Sequence, residues 1–120
     1  MAAHNELGAW GEEQAVDYLQ RKGYTIVERD WKSRHRDIDI IATRDDVVVF
    51  VEVKTRSNQV FGEPEDAIDY RKMCNLRAAI NHYVQYKHLN KEIRFDIISI
   101  VGSLNNGIQT IKHFEDIPMY

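Results

Sequence analysis

Two charged residues near the end of an apolar run have the types and spacing of a hydrolytic metal site. The run is Val47–Arg56, sequence VVVFVEVKTR, and its β-branched and aromatic residues are typical of a strand buried on both faces. Side chains alternate across a strand, so Glu52 and Lys54 project from the same face. A carboxylate can hold a metal ion that polarises a phosphate, and an ammonium group can orient water or neutralise charge on phosphorus. We therefore predict that Glu52 and Lys54 are catalytic.

Asp39 supplies a second carboxylate. Residues 37–43 predict a strand, which a turn at Asp45 and Asp46 joins to the next strand as a hairpin. A hairpin centred on this turn places Asp39 opposite Glu52, with Cβ atoms about 4.5–5.5 Å apart. Carboxylates this close repel each other unless one is protonated or a cation such as magnesium lies between them. The alternative is an ordinary hairpin with alternating charges at an exposed edge, but the apolar residues beside both acids favour the metal site.

A glutamate on the first predicted helix is a third candidate ligand. The helix is expected from Asn5, as its cap, to about Lys22. Small residues at positions 8, 11 and 15 would let this helix approach a sheet closely and bring Glu12 near the charged residues of that sheet. In the alternative position, Glu12 lies at the helix margin, in solvent or paired with an arginine. The sequence leaves both positions open.

Basic residues could form a phosphate-binding rim around these acids. The net charge of −3 and the pI near 5.9 mean that any nucleic-acid surface must be a local patch. For any single basic residue, solvated charge on a loop is the alternative. The candidate nucleic-acid-binding residues are Arg34, Arg36, Arg56, Arg71 and Lys72.

Length and composition predict one domain over residues 1–120. Cys74 is the only cysteine, which excludes an internal disulfide and a zinc site built on several thiolates. The N-terminal residues do not have the pattern of a secretory signal, and no stretch has the roughly 20 apolar residues of a membrane span. We therefore expect a cytoplasmic protein without a membrane partner.

The predicted order of elements is one helix, three strands, a second helix and two strands, which suits an α/β or α+β sandwich with helices packed on a mixed sheet. Strict alternation in the second strand would place Ile38, Ile40 and Ala42 on one face and Asp39 with Ile41 on the other. The remaining predicted elements are strands over 24–31, 94–101 and 108–113, and a helix from Pro64 to about Lys87.

Several short motifs together resemble those of the YraN family of bacterial proteins, uncharacterised protein family 0102. Asp39 followed by Glu52-Val53-Lys54 is also similar to the PD-(D/E)xK motif of restriction-endonuclease-like nucleases. The resemblance covers nearly the whole chain. The motifs that carry it are GAWGEEQA at 8–15, GY at 23–24, DIDIIA at 37–42, VFVEVKTR at 49–56 and FGEP at 61–64.

The resemblance implies a restriction-endonuclease-like three-layer α/β sandwich, similar to archaeal Holliday-junction resolvases. It implies catalytic roles for Asp39, Glu52 and Lys54, with Asp39, Glu52 and Glu12 as ligands of Mg²⁺ or Mn²⁺. Lys72 matches a basic position on the second helix. The implied activity is hydrolysis of phosphodiester bonds in DNA, including branched DNA, for which a homodimer is the expected assembly by analogy.

The chain departs from the family pattern at one place, and a second function is compatible with the same motifs. The family usually has Gly-Glu where this chain has Arg36-Asp37, which adds bulk and charge beside Asp39. The rival function is a non-catalytic nucleic-acid-binding or protein-interaction module that retains the nuclease fold. The acidic net charge favours the rival, whereas the joint presence of two carboxylates and Lys54 favours the enzyme.

Overall fold

The computed structural model describes residues 2–34, 36–58 and 70–119, with side chains from residue 6 onward. Within these ranges the element order is the predicted one, helix, three strands, helix, two strands. The elements are α1 (Ala2–Arg21), β1 (Thr25–Trp31), β2 (Ile38–Arg44), β3 (Val47–Arg56), α2 (Tyr70–Tyr86), β4 (Glu92–Ser103) and β5 (Gly107–Phe114).

The strands form one mixed sheet in the order β1-β2-β3-β4-β5. The pair β3 and β4 is parallel, and the other neighbouring pairs are antiparallel. Parallel neighbours require a crossover connection, and α2 lies in the chain between β3 and β4. Strand β3 is the middle strand of this sheet, with two strands on each side of it.

Both faces of the sheet are covered by apolar packing. On one face, Ala15 and Leu19 of α1 pack with residues of β2, β3 and β4 such as Val49. On the other face, Leu76 and Ile80 of α2 pack with residues of the same strands. Burial on both faces explains why β3 begins as a nearly continuous apolar run. The predicted α/β three-layer sandwich, the architecture expected of a restriction-endonuclease-like fold, is confirmed.

The hairpin of β2 and β3 has the predicted register. Arg44 pairs with Val47, so the turn consists of Asp45 and Asp46 alone. Both turn residues have positive φ, 53° and 66°, as a two-residue type I′ turn requires. The register that this turn sets would, continued to the far end of the hairpin, bring Asp39 opposite Glu52.

Some predicted boundaries differ from the structure by more than one residue or lie outside the described ranges. Helix α1 begins at Ala2, so Asn5 lies within the helix rather than at its cap. The predicted start of the second helix at Pro64 lies outside the described residues, in which α2 begins at Tyr70. Strand β4 is longer at both ends than predicted. Among the described helices, none is both long and apolar enough to cross a bilayer.

Candidate metal centre

Asp39 stands where the alternation of β2 breaks. Ile38 and Ile41 both pack in the core beneath α2, whereas Ile40 packs on the α1 side. The strict alternation predicted for this strand is therefore wrong around Asp39. The backbone ladder between β2 and β3 ends at Ile40, and beyond it Asp39 Oδ2 accepts a hydrogen bond of 2.8 Å from the amide of Val53. The Asp39 carboxylate is thereby fixed against β3 at the end of the hairpin.

Three carboxylates from three different elements meet at this point. Glu12 of α1, Asp30 of β1 and Asp39 of β2 each offer an oxygen, and these oxygens lie within 4.8 Å of one another. Oxygen ligands on opposite sides of a divalent ion are separated by roughly 4–5 Å, since each metal–oxygen distance is about 2.0–2.6 Å. The carboxylates therefore have the chemistry and the spacing that a hard divalent cation needs.

Gly11 allows α1 to bring Glu12 to this cluster. Gly11 is buried against β3, and a Cβ atom added to it would overlap the side chain of Thr55. Gly8 lies one turn earlier, is exposed, and has open space where a Cβ atom would be. The close approach predicted from the small residues of α1 therefore depends on Gly11 and on the buried Ala15 rather than on Gly8.

Burial and mutual repulsion raise the pKa values of two of these acids. Burial is the largest cause of the rise in the pKa of Asp39 to about 7, and the charge of Glu52 adds to it. The hydrogen bond from the Val53 amide opposes the rise because it favours the charged carboxylate. A positive charge placed among these carboxylates would stabilise their ionised forms.

The pKa of Glu12 is also raised to about 7, first by burial and then by the hydrogen bond and charge of Asp30. Arg29 opposes this shift weakly, because its Nε lies 3.4 Å from Glu12 Oε1 whereas its Nη1 lies 2.8 Å from Glu13 Oε1. Glu12 thus combines the two positions that the sequence left open. It belongs to the acidic cluster and also contacts an arginine at the margin of the helix.

Glu52 is adjacent to this cluster but has a different environment. Its side chain is only 3% exposed, and its Oε2 atom is bound by Arg36 and lies 3.2 Å from Lys54 Nζ. Its other oxygen, Oε1, is buried and has no hydrogen-bond partner among the described residues. Of the predicted metal ligands, the structure therefore groups Glu12 and Asp39 with Asp30, and leaves Glu52 beside them with one unused oxygen.

A pocket of about 350 Å³ opens between α1 and the end of the hairpin. Glu12, Asp39 and Lys54 line it together with small and apolar residues. Lys54 links the pocket to Glu52, since this residue lines the pocket and its ammonium group pairs with the Glu52 carboxylate. The predicted catalytic set of Asp39, Glu52 and Lys54 is thus contiguous in the fold.

The predicted phosphate-binding residues are dispersed. Arg34 is exposed beside His82 of α2, and Arg56 is half-buried at the end of β3 beside Leu7. Arg71 and Lys72 lie exposed at the start of the described part of α2. Arg36 contacts a predicted catalytic side chain, Glu52, within the part of the chain that the structure describes.

Asp30 is the site residue that the sequence reasoning missed. The pairs Arg29 with Ile40 and Trp31 with Ile38 set Asp30 opposite Asp39 in the sheet. This register could not be counted from the sequence, because an irregularity between Ile26 and Glu28 shifts the pairing and a connector separates the two strands. Asp30 also has a positive φ of 50°, which is uncommon for a residue other than glycine.

Comparison with known proteins places the chain in a family. A family model described as Uncharacterised protein family UPF0102 matches residues 11–100. A UPF0102 protein of Flavobacterium psychrophilum is 46% identical over 116 residues, covering 97% of this chain and 96% of the relative. A UPF0102 protein of Christiangramia forsetii is 43% identical over 120 residues, covering 100% of this chain and 99% of the relative. The chain therefore belongs to the UPF0102 family, as its sequence motifs indicated.

Proposed function

We propose that this protein is a divalent-metal-dependent endonuclease that hydrolyses phosphodiester bonds in DNA. One observation carries the proposal: the oxygens of Glu12, Asp30 and Asp39 lie within 4.8 Å of one another, and two of these acids, Glu12 and Asp39, line a pocket that Lys54 also lines. Acids crowded in this way repel a polyanion unless a cation is bound among them. Their combination with a lysine suits metal-assisted phosphate chemistry, in which the ion and a second cation share the developing negative charge.

The residues present fit a magnesium or manganese ion. Asp39 is the central ligand, because its position is fixed by the Val53 amide, and Glu12 and Asp30 complete an all-oxygen set. Glu52 Oε1 is a further donor, buried beside them and unpartnered among the described residues. When bound, the ion polarises a phosphate and lowers the pKa of a water molecule.

Lys54 is the catalytic cation of this proposal. It lies on β3, a rigid central strand, and its Nζ atom is 3.2 Å from Glu52 Oε2. Glu52 therefore positions Lys54 as well as offering an oxygen to the metal site. From the wall of the pocket, Lys54 can neutralise the charge that develops on phosphorus or orient the attacking water.

Binding of DNA would use basic residues outside the pocket. Arg56 follows the catalytic residues on β3, and Arg34 lies on the connector that leads into β2. Arg71 and Lys72 on α2 offer charge to more distant phosphates. Branched DNA is the proposed substrate structure, and a homodimer would supply two active sites for paired cuts.

The competing function is a non-catalytic module that binds nucleic acid or another protein. The net charge of −3 favours it, since a nucleic-acid surface must then be a minor part of the molecule. The acidic pocket favours the enzyme, because unneutralised carboxylates would weaken the binding of a phosphate backbone.

A nicking assay on linear and four-way DNA, with Mg²⁺ or Mn²⁺, tests the proposal. We expect metal-dependent cleavage that falls by about 100-fold or more in Glu52→Ala and Lys54→Ala. The matched control is Lys91→Ala, which removes an exposed lysine paired with Asp46 at the opposite end of the hairpin, and should keep full activity. Cleavage that survives both site substitutions contradicts the site, and no cleavage of any substrate supports the binding module.

A further inference from the structure

We propose that Arg36 is the internal counter-cation of Glu52 and that a divalent ion must displace it, so that Arg36 sets the metal affinity of the site. The inference rests on the proposed function insofar as that function requires a metal ion in the acidic pocket. It adds a role for a residue on the connector between β1 and β2, whereas the proposed ligands of the ion lie on α1 and on the strands.

The contacts of Glu52 carry the inference. Arg36 and Lys54 both bind the Oε2 atom of Glu52, and Oε1 is left without a partner among the described residues. The Arg36 side chain is 24% exposed and the Glu52 side chain only 3% exposed. Both cations therefore serve one oxygen of a buried carboxylate, while the other oxygen is free for a ligand.

A buried carboxylate needs opposite charge, and Arg36 supplies it in the absence of metal. An added divalent ion would bring two positive charges close to the two already at Glu52. Like charges repel at such distances, so metal binding at Glu52 favours departure of a resident cation.

Arg36 is better able to leave than Lys54. Lys54 lies within β3, whose backbone pairs with β4 as far as Arg56. Arg36 precedes β2, which begins at Ile38, and its long side chain is partly exposed. Rotation of the Arg36 side chain into solvent therefore leaves the sheet unchanged. The released guanidinium would then be available to a phosphate group.

Calorimetric titration with Mn²⁺ compares the wild type with Arg36→Gln. Because the ion no longer competes with a charged partner of Glu52, we expect Arg36→Gln to bind at least about tenfold more tightly. The matched control is Arg34→Gln, which removes an exposed arginine two residues away on the same connector. It changes the local charge equally but lies outside the Glu52 ion pairs, and should change affinity by less than about twofold.

A second variant and a second measurement separate competition from loss of folding. Arg36→Lys keeps a positive charge and should bind Mn²⁺ with nearly wild-type affinity. In thermal melts, Arg36→Gln should have a lower Tm than the wild type in chelator, because Glu52 loses a counter-charge. It should also have a larger rise in Tm on addition of Mn²⁺.

The outcomes distinguish this inference from the proposed function. Unchanged or weaker Mn²⁺ binding in Arg36→Gln, with binding lost in Asp39→Asn, would overturn the role of Arg36 and leave the metal site intact. Equal tightening in Arg36→Gln and Arg34→Gln would overturn it too, since the effect would be one of general charge. Absence of binding in the wild type and in every variant would overturn both proposals.

Discussion

Two aspartates in the same sheet, the buried Asp96 and the half-buried Asp39, have opposite environments. Asp96 of β4 is fully buried and accepts hydrogen bonds from Arg94 at 2.9 and 2.8 Å, from the Asp116 amide at 3.0 Å and from His113 Nε2 at 2.7 Å. Within the described ranges, Asp39 of β2 accepts one backbone hydrogen bond and lies close to other carboxylates. Asp96 therefore has a complete set of partners, whereas Asp39 does not.

The pKa values of the two aspartates shift in opposite directions for this reason. Burial alone would raise the pKa of Asp96, but the hydrogen bonds from His113 and Arg94 outweigh it and the pKa is lowered. Burial and the charge of Glu52 raise the pKa of Asp39 to about 7. The comparison teaches that Asp96 serves the fold, since it joins β4 to β5, whereas the Asp39 cluster lacks the counter-charge that the proposed cation would supply.

The largest effect on stability is expected from removing Asp96, the aspartate that has a complete set of partners. Asp96→Ala leaves Arg94 and His113 with unpaired polar groups in a buried position, so we expect a loss of about 3–5 kcal/mol in the free energy of unfolding. Urea denaturation measures it. Asp17→Ala, which breaks an exposed pair with Arg21, should change stability by less than about 1 kcal/mol. If both variants are equally stable, the Asp96 network has no structural role.

A smaller effect is expected where α1 meets the Asp39 cluster. Gly11→Ala places a methyl group into Thr55 of β3, so we expect a loss of about 1–3 kcal/mol and weaker Mn²⁺ binding as Glu12 moves away. Gly8→Ala has space for its methyl group and should gain up to about 1 kcal/mol from helix propensity. Denaturation and metal titration of both variants test this. Unaltered metal binding in a destabilised Gly11→Ala would mean that Glu12 is not a ligand.

The smallest effect is a gain in the free energy of unfolding rather than a loss, and it is expected from replacing Asp39. The native pKa of Asp39 is about 7 and the unfolded value is about 3.9, so the native state binds more protons between these values and stability falls as pH rises through that window. Asp39→Asn removes this penalty. Without metal, it should be about 1–2 kcal/mol more stable than the wild type at pH 8, and the difference should shrink toward pH 4.

Denaturation of both proteins across this pH range, in chelator, measures the difference. For Asp96 the sign is reversed, because its lowered pKa contributes stability that is present above the unfolded value and lost as pH falls through the native one. A wild type that is more stable than Asp39→Asn at pH 8 would contradict the account of an incomplete acid cluster.

The sequence was sufficient for the core of the fold because local rules determine it. The β-branched run predicts β3 with its observed bounds, Val47–Arg56, and the turn at Asp45 and Asp46 sets the hairpin register. A strand buried on both faces tolerates few charged residues, so Glu52 and Lys54 are identifiable as exceptions from the sequence alone. These features depend on residues close together in the chain.

The rest of the site depends on contacts that local patterns do not encode. Asp30 reaches Asp39 through a sheet register that an irregularity in β1 has shifted. Ile38 departs from strict alternation at the end of β2, where Asp39 accepts a hydrogen bond from a backbone amide of β3. Arg36 adds bulk and charge beside Asp39 in the sequence, but its partner Glu52 lies 16 positions away and is reached by a long, rotatable side chain.

Metal binding to the wild type and Asp39→Asn tests the central claim most directly. In calorimetric titrations with Mn²⁺ at pH 8, where Glu12 and Asp39 are largely ionised, we predict binding to the wild type and a loss of at least about tenfold in affinity in Asp39→Asn. Equal binding by the two proteins, or no binding by the wild type, would contradict the claim that this acidic cluster is a metal site.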